Sequence, residues 1–582
     1  MTYITCRNLR VTNMDAFDPI LDQPQSIDCD ELAATATYQL ANQDLRFKVD
    51  ANTDLVDLEW PWAGETYVRR IQMRLSAPRA DALTPMITRY YPGYQEVILG
   101  SEGMIISKRV VAPYKSAFDR AVIWMLECQV EGDHLLRLDI DIDWGEPLTQ
   151  RMVDGLLVAQ RNPGAARGIY AQSNAERTCV FGNPYGRPDS IDIATEDQAH
   201  LVYHILVNGM VEVPLLLTIS DVGEQVAWNG FLALRDTERA YELTVKAWDA
   251  LVKTGRLWTP DARLNRAVQA GKLETVRNLQ RLRGGPTPTD QHVEHLPVLV
   301  KSLDVLDVTE SRNLLAYARR LAEQTNGRLP VLFPPRVKEA VDPEAAVVRT
   351  NGAYLTALHA HLQRHFDAEL LAAHQAAVQA CTEALIQAQQ LSPAQVYQGP
   401  SLGEALRHAE QLALDWGDSV NAARWESEAV EAERLAGGIS TQPAEALNSL
   451  LNWSATSTWQ TLPKQPWHFT DPCAGIALAG EAVWDGCGLH WEHDELWVEP
   501  HFPIFWSWWA LLDLPIQERK LSLVWDGAVL HTTQPVRSQL PVQIHQRIRA
   551  LKTEDHEFDL EFEFKDEVNG ASQRQLFKPK FI

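Results

Sequence analysis

The stretch LRLDIDIDW, residues 136–144, alternates apolar and polar side chains without a break. Apolar residues at every second position predict a β-strand with one buried face and one solvated face. Similar but more continuous apolar runs occupy residues 103–112, 118–130 and 201–219, with Pro- and Gly-containing turn signals between them. Many strands at short spacing, with no helical pattern between them, predict a large antiparallel β-sandwich over residues 1–235.

The chain changes character after this region, because apolar residues then recur at helical spacing. The spacers between the periodic segments are short, which favours antiparallel helical hairpins. A further helix is predicted from Pro472 to Val483, with Pro472 in its first turn. The other predicted helices cover residues 237–253, 261–283, 294–304, 310–325, 344–364, 368–390, 402–416, 419–435 and 444–460.

The last part of the chain returns to strand patterns. Residues 496–498 and 521–525 predict strands, Asp526-Gly527 is a hairpin-turn signal, and FDLEFEF at residues 558–564 alternates strictly. The sequence therefore predicts a multidomain α and β protein. Its predicted parts are an N-terminal antiparallel β-sandwich (1–235), a linker helix (236–258), a helical domain (259–484) and a small C-terminal β-sandwich (485–582).

Composition narrows the functional classes. The 582 residues include 53 Lys and Arg against 77 Asp and Glu, for a formal net charge of −24. Such a charge argues against binding nucleic acid, which needs a basic face, and against an anionic membrane surface. The sequence contains no GxGxxG after a strand, no GxxxxGK[ST], no HExxH and no GxSxG. We therefore expect no nucleotide cofactor, no catalytic metal and no serine-hydrolase chemistry.

Location and assembly are less constrained by the sequence. The N-terminus lacks the apolar core of a secretory signal, and the most apolar stretch, residues 503–516, contains Asp513 and is too short to span a bilayer. Seven scattered cysteines without a CxxC are typical of reduced thiols. These features favour a cytoplasmic protein, with a mature secreted chain as the alternative. The oligomeric state stays open, with a homodimer as one option.

Three local patterns, together with the order of the domains, carry a resemblance to a known family. They are Ser302–Glu310 followed by LAEQTNGRLP (residues 321–330), Ala353–Leu358 continuing to Asp367, and Gly488–His490 with residues 496–503. In this order they resemble the six-hairpin glycosidase superfamily. Its members include maltose and cellobiose phosphorylases, glucoamylases, trehalases, fucosidases and rhamnosidases.

The resemblance implies that the helical domain is an (α/α)6 barrel that receives a carbohydrate. It implies an inverting glycoside hydrolase or phosphorylase that acts on an oligosaccharide or glycoside. Hydrolysis by inversion needs one carboxylic acid and one carboxylate base about 6.5–9.5 Å apart, and a phosphorylase replaces the base with a phosphate pocket. In the family these groups come from loops at one rim of the barrel, where Trp and Tyr stack on sugar rings.

Three loop segments would supply this chemistry. The first, residues 284–295, holds Asp290, His292 and Glu294; Glu294 occupies the position of the family's rim Asp and would bind sugar hydroxyls or, alternatively, act as an acid. A helix-capping carboxylate is the structural alternative for Glu294. His292 and His295 are three residues apart, and a third metal ligand is missing from this pattern.

The middle segment, residues 390–401, departs from the family because it contains no Asp or Glu. Glu404, in the first turn of the next helix, is the nearest carboxylate and the candidate acid, with stabilisation of the helix dipole as its structural alternative. Tyr397 of this segment is a candidate for binding substrate. The missing carboxylate also supports two other functions, a non-catalytic sugar-binding or scaffold protein and a sugar lyase that uses Tyr397 or His468.

The last segment, residues 459–484, should hold the base or the phosphate site, as in the family. Asp471 is the candidate base, and an N-cap residue before the predicted helix is its structural alternative. Trp459, Trp467 and His468 are candidates for binding substrate, with plain core packing as the alternative for Trp467.

Overall fold

The computed structural model divides into two units, residues 1–250 and residues 251–582. Each unit is described here by itself. The structure describes residues 25–28, 37–60, 65–77, 83–101, 103–161, 177–221, 223–282, 285–288, 291–333, 343–391, 401–435, 472–492, 495–502, 506–517, 519–538, 543–545, 548–553, 560–565 and 572–577.

The first unit is built on one antiparallel sheet of fourteen described strands. Its main path has the order β1-β6-β7-β8-β9-β14-β12-β11-β10; β2 to β5 pair in succession and join it at β9, and β13 pairs with β14. The strands are β1 (Gln25–Asp28), β2 (Tyr38–Ala41), β3 (Arg46–Val49), β4 (Leu55–Trp60), β5 (Glu65–Ser76), β6 (Thr84–Tyr90), β7 (Tyr94–Ser101), β8 (Met104–Val111), β9 (Ala121–Asp143), β10 (Thr149–Val153), β11 (Leu156–Gln160), β12 (Thr178–Gly182), β13 (Ser190–Thr195) and β14 (Gln198–Ser220).

Two strands of 23 residues each, β9 and β14, organise this sheet. They pair with each other along nearly their whole length, from Gln198 opposite Asp143 to Thr218 opposite Ala121. The other edge of β9 pairs with β8 along its first part and with β5 along its last part. Strand β9 therefore links β8 and its neighbours with β5 and its neighbours in one sheet.

The alternating stretch at residues 136–144 forms the last part of β9, as predicted. Leu136, Leu138, Ile140 and Ile142 are buried, because they face the core that the strands of this unit share. The intervening aspartates form ion pairs instead of facing solvent alone; for example, Asp139 accepts two hydrogen bonds from the Arg137 guanidinium.

Two helices follow the last strand of the first unit. They are α1 (Glu224–Ala233) and α2 (Thr237–Lys253), and α2 carries the chain into the second unit. Helix α2 was predicted from the sequence. Residues 1–235 were predicted to contain strands only, and helix α1 shows that this prediction was wrong. The apolar side chains of α1 lie on one face, where Ala227 and Phe231 are buried against the sheet.

Eight α-helices in the described part of the second unit form its helical layer. They are α3 (Ala262–Arg277), α4 (Leu296–Leu306), α5 (Val308–Gln324), α6 (Pro343–Arg364), α7 (Ala368–Leu391), α8 (Ser401–Asp415), α9 (Ser419–Leu435) and α10 (Pro472–Trp484). In space α10 packs between α3 and α4, α6 packs on α4 and α8, and α9 packs on α8. The helices α5 and α7 pack on each other and on α4 and α6.

Helices α4, α6 and α10 run side by side in the same direction. Where they begin, Glu294 pairs with Arg349 and His295 contacts Cys473; where they end, Asp304 pairs with Arg364. The end at which these helices begin receives the longer connections and is called the loop end below. The end at which they stop has short turns, such as Asp307 between α4 and α5 and residues 365–367 between α6 and α7, and is called the turn end.

Local sequence signals explain most helix boundaries. Asp307 caps α5 by accepting a hydrogen bond from Thr309 N at 3.0 Å, and Asp367 caps α7 by accepting from Glu369 N at 2.9 Å. After α5 the chain turns at Gly327, whose φ of 79° suits glycine. Asn351 of α6 fixes this turn by donating to the Gly327 carbonyl and accepting from Leu329 N.

Two predicted helix boundaries were wrong. The helix predicted over residues 261–283 ends at Arg277, and residues 279–282 form β16, which pairs with β17. The helix predicted from Glu294 begins at Leu296, because Val293–His295 form a 3-10 turn and Pro297 fits the first turn of the α-helix. The helix predicted over residues 444–460 lies outside the described residues.

The strands of the second unit form several groups, and the largest of them packs beside the turn end of the helices. The largest group, in the order β15-β22-β23-β24-β25, pairs a strand that precedes α3 with strands from the C-terminal part. Its core also contains Leu264 of α3 and Leu478 of α10. The strands are β15 (Arg256–Trp258), β16 (Leu279–Leu282), β17 (Gly285–Pro288), β18 (Gln291–His292), β19 (Leu332–Phe333), β20 (Leu489–Glu492), β21 (Glu495–Val498), β22 (Trp509–Ile516), β23 (Arg519–Trp525), β24 (Val529–Thr532), β25 (Gln543–His545), β26 (Ile548–Thr553), β27 (Leu560–Lys565) and β28 (Ser572–Phe577).

The structure thus confirms a mixed α and β protein with a large antiparallel sheet and a helical part. The finer division into four predicted domains stays a prediction. None of the helices in the described ranges combines the length and the apolar character that crossing a bilayer requires.

Candidate functional site

A polar face on α6 marks the candidate site. Arg349 and Thr356 are seven residues apart, which places both on one side of the helix about 10 Å apart along its axis. His359 and Gln363 continue the same side toward the turn end. The opposite side of α6 carries Tyr354, Leu355 and Leu358, all buried in the helical core. One helix therefore presents polar groups along one side and closes the core with the other.

Glu294 meets the first residue of this polar face. Its carboxylate lies 3.4 Å from Arg349 Nε, and both side chains are partly accessible, at 39% and 50% exposed. Glu294 sits in the 3-10 turn before α4, so the turn directs it across to α6. The predicted helix-capping role is not observed, since no side-chain hydrogen bond caps either this turn or α4. The pair leaves carboxylate oxygens that can accept hydrogen bonds.

Two histidines flank Glu294. His292 is exposed, and its ring centroid lies 5.9 Å from that of His295 in an edge-on arrangement. His295 Nδ1 is 3.5 Å from the sulfur of Cys473, the second residue of α10. This contact brings the start of α10 to the start of α4. In the described ranges, no group of three or more His, Cys, Asp or Glu side chains is arranged to hold a metal ion.

A second polar group lies further along α6, where α8 packs against it. Thr356 Oγ1 is 3.1 Å from His408 Nδ1, and the rings of His359 and His408 stack with centroids 4.5 Å apart. Glu404, the predicted acid, lies one helical turn before His408, is exposed, and interacts electrostatically with it. Glu404 therefore lies one helical turn from a residue that contacts the polar face of α6.

Burial keeps this histidine pair neutral. Burial, together with the nearby His408 and Arg364, lowers the pKa of His359 to about 4. Burial likewise lowers the pKa of His408, while Glu404 opposes that shift. A neutral imidazole has one donor and one acceptor nitrogen, so these rings can exchange hydrogen bonds with hydroxyl groups without adding charge.

Several predicted site residues cannot be placed. Asp290, Tyr397, Trp459, Trp467, His468 and Asp471 all lie outside the described residues. The carboxylate-free middle loop, residues 392–400, lies outside them as well. The structure brings Glu294, His292 and His295 together at the loop end and places Glu404 beside the polar face, and it does not test the roles predicted for any of them.

The turn end holds a buried ionic network that the sequence analysis did not find. Asp304 is fully buried; it accepts from Arg364 Nε at 2.8 Å and contacts His361 Nδ1 at 2.7 Å. Although burial raises the pKa of Asp304, Arg364 and His361 outweigh it and hold that pKa well below its usual range. Arg364 also lies 5.5 Å from the ring centroid of Trp484, which is the last residue of α10. This network fixes the ends of α4, α6 and α10 relative to one another.

Sequence reasoning missed the α6 partners of the predicted residues. Arg349, Thr356 and His359 contact Glu294 or His408, yet none was a candidate. Their signal is a stripe of polar residues at helical spacing inside an otherwise apolar helix. That stripe is visible in the sequence. Only the packing of α6 on α4 and α8 in the structure shows which residues the stripe contacts.

The arrangement suits recognition of a polyhydroxylated ligand better than covalent catalysis. A guanidinium paired with a carboxylate, a threonine hydroxyl and neutral imidazoles offer both donors and acceptors within a short distance.

Five of the seven cysteines are described, and none of these forms a disulfide; Cys128, Cys179, Cys381 and Cys487 are buried, so Cys473 alone among them is partly accessible.

Comparison with solved structures identifies the fold. A protein assigned as a kojibiose phosphorylase from the human microbiome superposes with a TM-score of 0.54 and 9% identity, over 89% of this chain and 96% of that chain. A bacterial glucoamylase in complex with acarbose gives 0.45 and 12%, over 75% and 69%. An inverting mannosidase of family GH92 from Bacteroides thetaiotaomicron gives 0.45 and 10%, over 90% and 91%.

These comparisons confirm the predicted resemblance to six-hairpin glycosidases at the level of the fold. No family model and no curated protein sequence matches the chain. At 9% identity the likeness extends to architecture and leaves the chemistry to the residues themselves.

Proposed function

We propose that this protein is a carbohydrate-active enzyme that cleaves a glycosidic bond by inversion, by hydrolysis or phosphorolysis. The observation that carries the proposal is the polar face of α6 at the loop end. Glu294 contacts it directly, and Glu404 lies one helical turn from His408, which also contacts it. The fold shared with a protein assigned as a kojibiose phosphorylase adds support to this proposal.

The proposed layout places a carbohydrate between the starts of helices. Residues 1–235 would form the N-terminal β-sandwich, 236–258 the linker helix, 259–484 an (α/α)6 barrel and 485–582 the C-terminal β-sandwich. The same direction of α4, α6 and α10, with long connections at one end, is what such a barrel needs. We also keep the prediction that the protein is cytoplasmic.

In this proposal Glu294 binds substrate. Its pairing with Arg349 keeps hydrogen-bond acceptors and donors side by side, which matches vicinal hydroxyl groups on a sugar ring. This role is favoured over that of an acid, because Arg349 already lies against one carboxylate oxygen of Glu294. His292, also at this end, together with Asp290, Tyr397, Trp459, Trp467 and His468, would complete the substrate contacts.

Glu404 would act as the general acid and Asp471 as the base. Asp471 immediately precedes α10, and Cys473, two residues later, contacts His295. The start of α10 is therefore close to Glu294, on the side opposite α8 in the packing order.

A non-catalytic sugar-binding protein is the second candidate. The observation that favours it is the middle loop, residues 392–400, which contains no carboxylate where related enzymes usually hold their acid. In that case the polar face would bind a saccharide without cleaving it.

The test combines a substrate panel with two variants. Aryl glycosides of several sugars, maltose, kojibiose, cellobiose and trehalose are incubated with the protein, with and without phosphate, and the released sugar or sugar 1-phosphate is measured. We expect turnover of at least one member, and we expect Glu404→Gln and Asp471→Asn each to lower it by about 10²–10⁴-fold, the usual contribution of acid–base catalysis.

Glu410→Gln is the matched control for Glu404, because Glu410 lies on the same helix and pairs with Arg407 instead of reaching α6. Its turnover should match that of the unmodified protein. Full turnover in both Glu404→Gln and Asp471→Asn would overturn the assigned roles. Saccharide binding without any cleavage would establish the non-catalytic candidate instead.

A further inference from the structure

A large cavity lies at the turn end of the second unit, away from the polar face described above. Its volume is about 1440 Å³. The cavity walls come from the starts of α5 and α7 and from strands β20 to β24. Pockets for drug-sized ligands measure roughly 300–1,000 Å³, so this cavity has room for an extended molecule.

Two aromatic residues line the cavity at the end of α6 and on β20. Phe366 is 60% exposed, an unusual state for a large apolar side chain beside a turn. Trp491 is partly buried and is held in place because its indole N–H donates to the Arg364 carbonyl at 3.1 Å. The accessible Phe366 ring and the fixed Trp491 indole offer apolar surface, on which the C–H face of a sugar ring can stack.

Paired ionic groups surround these rings. Arg312 lies 3.2 Å from Asp367, and Arg537 lies 2.9 Å from Glu495 and bonds it through two nitrogens. Such pairs present donors and acceptors at fixed spacing, which suits neighbouring hydroxyl groups. Arg519 is exposed on the same wall, with Nη1 3.5 Å from Gln534 Oε1.

The charge of the lining argues for a neutral ligand. Three arginines are balanced by three carboxylates, and the whole chain carries a net charge of −24. An anion such as a polyphosphate would meet the carboxylates of Asp367, Glu369 and Glu495 within the cavity. A neutral polyol meets no charge repulsion from these carboxylates. Each arginine and carboxylate stays paired while it also forms hydrogen bonds with hydroxyl groups of the ligand.

The cavity is a separate site from the Glu294–Arg349 pair at the loop end. Arg349 lies near the start of α6, whereas the cavity residues Phe366 and Asp367 follow the end of that helix. At the rise of an α-helix, the 17 positions from Arg349 to Phe366 correspond to about 25 Å. A ligand of a few sugar units in the cavity would therefore not occupy the loop end.

We propose that this turn-end cavity is a second, non-catalytic binding site for a neutral oligosaccharide. Phe366 and Trp491 stack on sugar rings. The pairs Arg312–Asp367 and Arg537–Glu495, together with Arg519, bind hydroxyl groups. The choice of a saccharide rests on the proposed function, whereas the position and neutrality of the site rest on the cavity lining alone. Such a site would hold a longer chain on the enzyme while the loop end acts on another part of it or on another molecule.

Calorimetric titration of the full chain with maltoheptaose, cellopentaose, mannopentaose and inorganic phosphate tests the proposal. We expect at least one of the oligosaccharides to bind, and the double variant Phe366→Ser/Arg519→Ala to weaken that binding by about tenfold or more, the loss of one ring contact and one charged donor. Both side chains are exposed, so the double variant should fold. Phosphate binding, which phosphorolysis would place at the loop end, should be the same in the double variant and in the unmodified protein.

The matched control is Val420→Ser/Lys520→Ala. Val420 is 79% exposed at the turn end, and Lys520 follows Arg519 on β23 with its side chain on the other side of the strand; neither lines the cavity. This control should bind like the unmodified protein. The proposal is overturned if the double variant binds every oligosaccharide as tightly as the control, if none of the three binds, or if phosphate alone binds.

The two proposals fail in distinguishable ways. Turnover of the small aryl glycosides should be the same in the cavity variant and in the control, because those substrates need only the loop end. Loss of oligosaccharide binding with turnover intact supports the cavity site. If the protein cleaves substrate and the cavity variant binds oligosaccharides as tightly as the control, the enzyme proposal is supported and the cavity proposal is wrong.

Discussion

Two buried histidines in the second unit should make its stability fall as the solution is acidified from pH 7 to pH 5. His365 is 1% exposed and His374 is fully buried. Burial lowers the pKa of His365 to about 4, against opposition from Asp304, and lowers that of His374 to about 3, with Arg319 adding to the effect. Both rings are therefore neutral in the folded protein throughout this range.

The sign follows from the unfolded chain, in which a histidine has a pKa of about 6.5. Below that value the unfolded state binds a proton that the folded state does not, so acid favours unfolding. Each of the two histidines contributes stability that is complete above about pH 6.5 and is lost as the pH falls toward its folded value. Between pH 7 and pH 5 the loss is about 2 kcal/mol for each, or about 4 kcal/mol together.

Urea unfolding at pH 7 and pH 5 measures this loss, with the variant His374→Gln to isolate one contribution. His374 Nδ1 is 2.7 Å from the Tyr354 hydroxyl, so the variant should be less stable at both pH values. The difference between its two stabilities should nevertheless be about 2 kcal/mol smaller than in the unmodified protein. His490→Gln, at an exposed ring, is the control and should leave the difference unchanged.

The reasoning is refuted if His374→Gln loses as much stability on acidification as the unmodified protein does. Buried carboxylates with a raised folded pKa, such as Glu481, act in the opposite direction, but they are the same in both proteins and cancel in the comparison. Asp304, whose folded pKa is depressed, contributes stability that is present above its ordinary value of 3.8 and is lost only below it, outside the window of the experiment.

Two further substitutions should destabilise the second unit. Asp304→Asn removes the charge that Arg364 faces in the core, and breaking a buried pair in this way should cost about 3–5 kcal/mol in urea unfolding. Gly271→Ala should lower the thermal midpoint even though alanine favours helices by about 1 kcal/mol, since a Cβ there would lie 2.1 Å from the Gly475 carbonyl oxygen and overpacking costs about 1–3 kcal/mol. Near-normal stability of Asp304→Asn would show that the Asp304–Arg364 pair contributes little to stability. Near-normal stability of Gly271→Ala would show that the close approach to Gly475 tolerates a Cβ.

Each of these substitutions has a matched control in the same unit. Asp307→Asn, three residues after Asp304, should cost little, because asparagine caps α5 as well as aspartate does. Gly403→Ala, in helix α8, should be tolerated, because the nearest atom is the flexible Cγ of Glu433 and not backbone. A large loss of stability in both controls would mean that substitution at these positions is harmful for reasons unrelated to the contacts described.

Local patterns predicted much of the architecture. Strict alternation in residues 136–144 predicted the second half of β9. Alternation of apolar and polar residues is a local signal, and it is sufficient to show that one face of a strand is buried. Helices α5 to α9 follow apolar stripes with clear caps such as Asp367, and they were predicted to within two residues at each end. Residues 279–282 were misread as helix because their pairing with residues 285–288 depends on a partner rather than on period.

The site was harder to predict, because its partners are distant in the sequence. Glu294 was a candidate from its place in a loop, but Arg349, 55 positions later, was not, and their pairing follows from the packing of α6 on α4. The cavity beside Phe366 joins residues of α5, α7 and β20 to β24, so no short motif could reveal it. Sequence patterns specify which face of a helix is polar, whereas tertiary packing decides what that face meets.

The configuration of the first product tests the central claim most directly. Proton NMR of the reaction, recorded before the released sugar mutarotates, reports the anomer that forms at the cleaved bond. An inverting hydrolase or phosphorylase gives the anomer opposite to that of the substrate, and this is the result we predict for any member of the panel that the protein cleaves. Release of the same anomer, or no cleavage of any member with or without phosphate, would contradict the account.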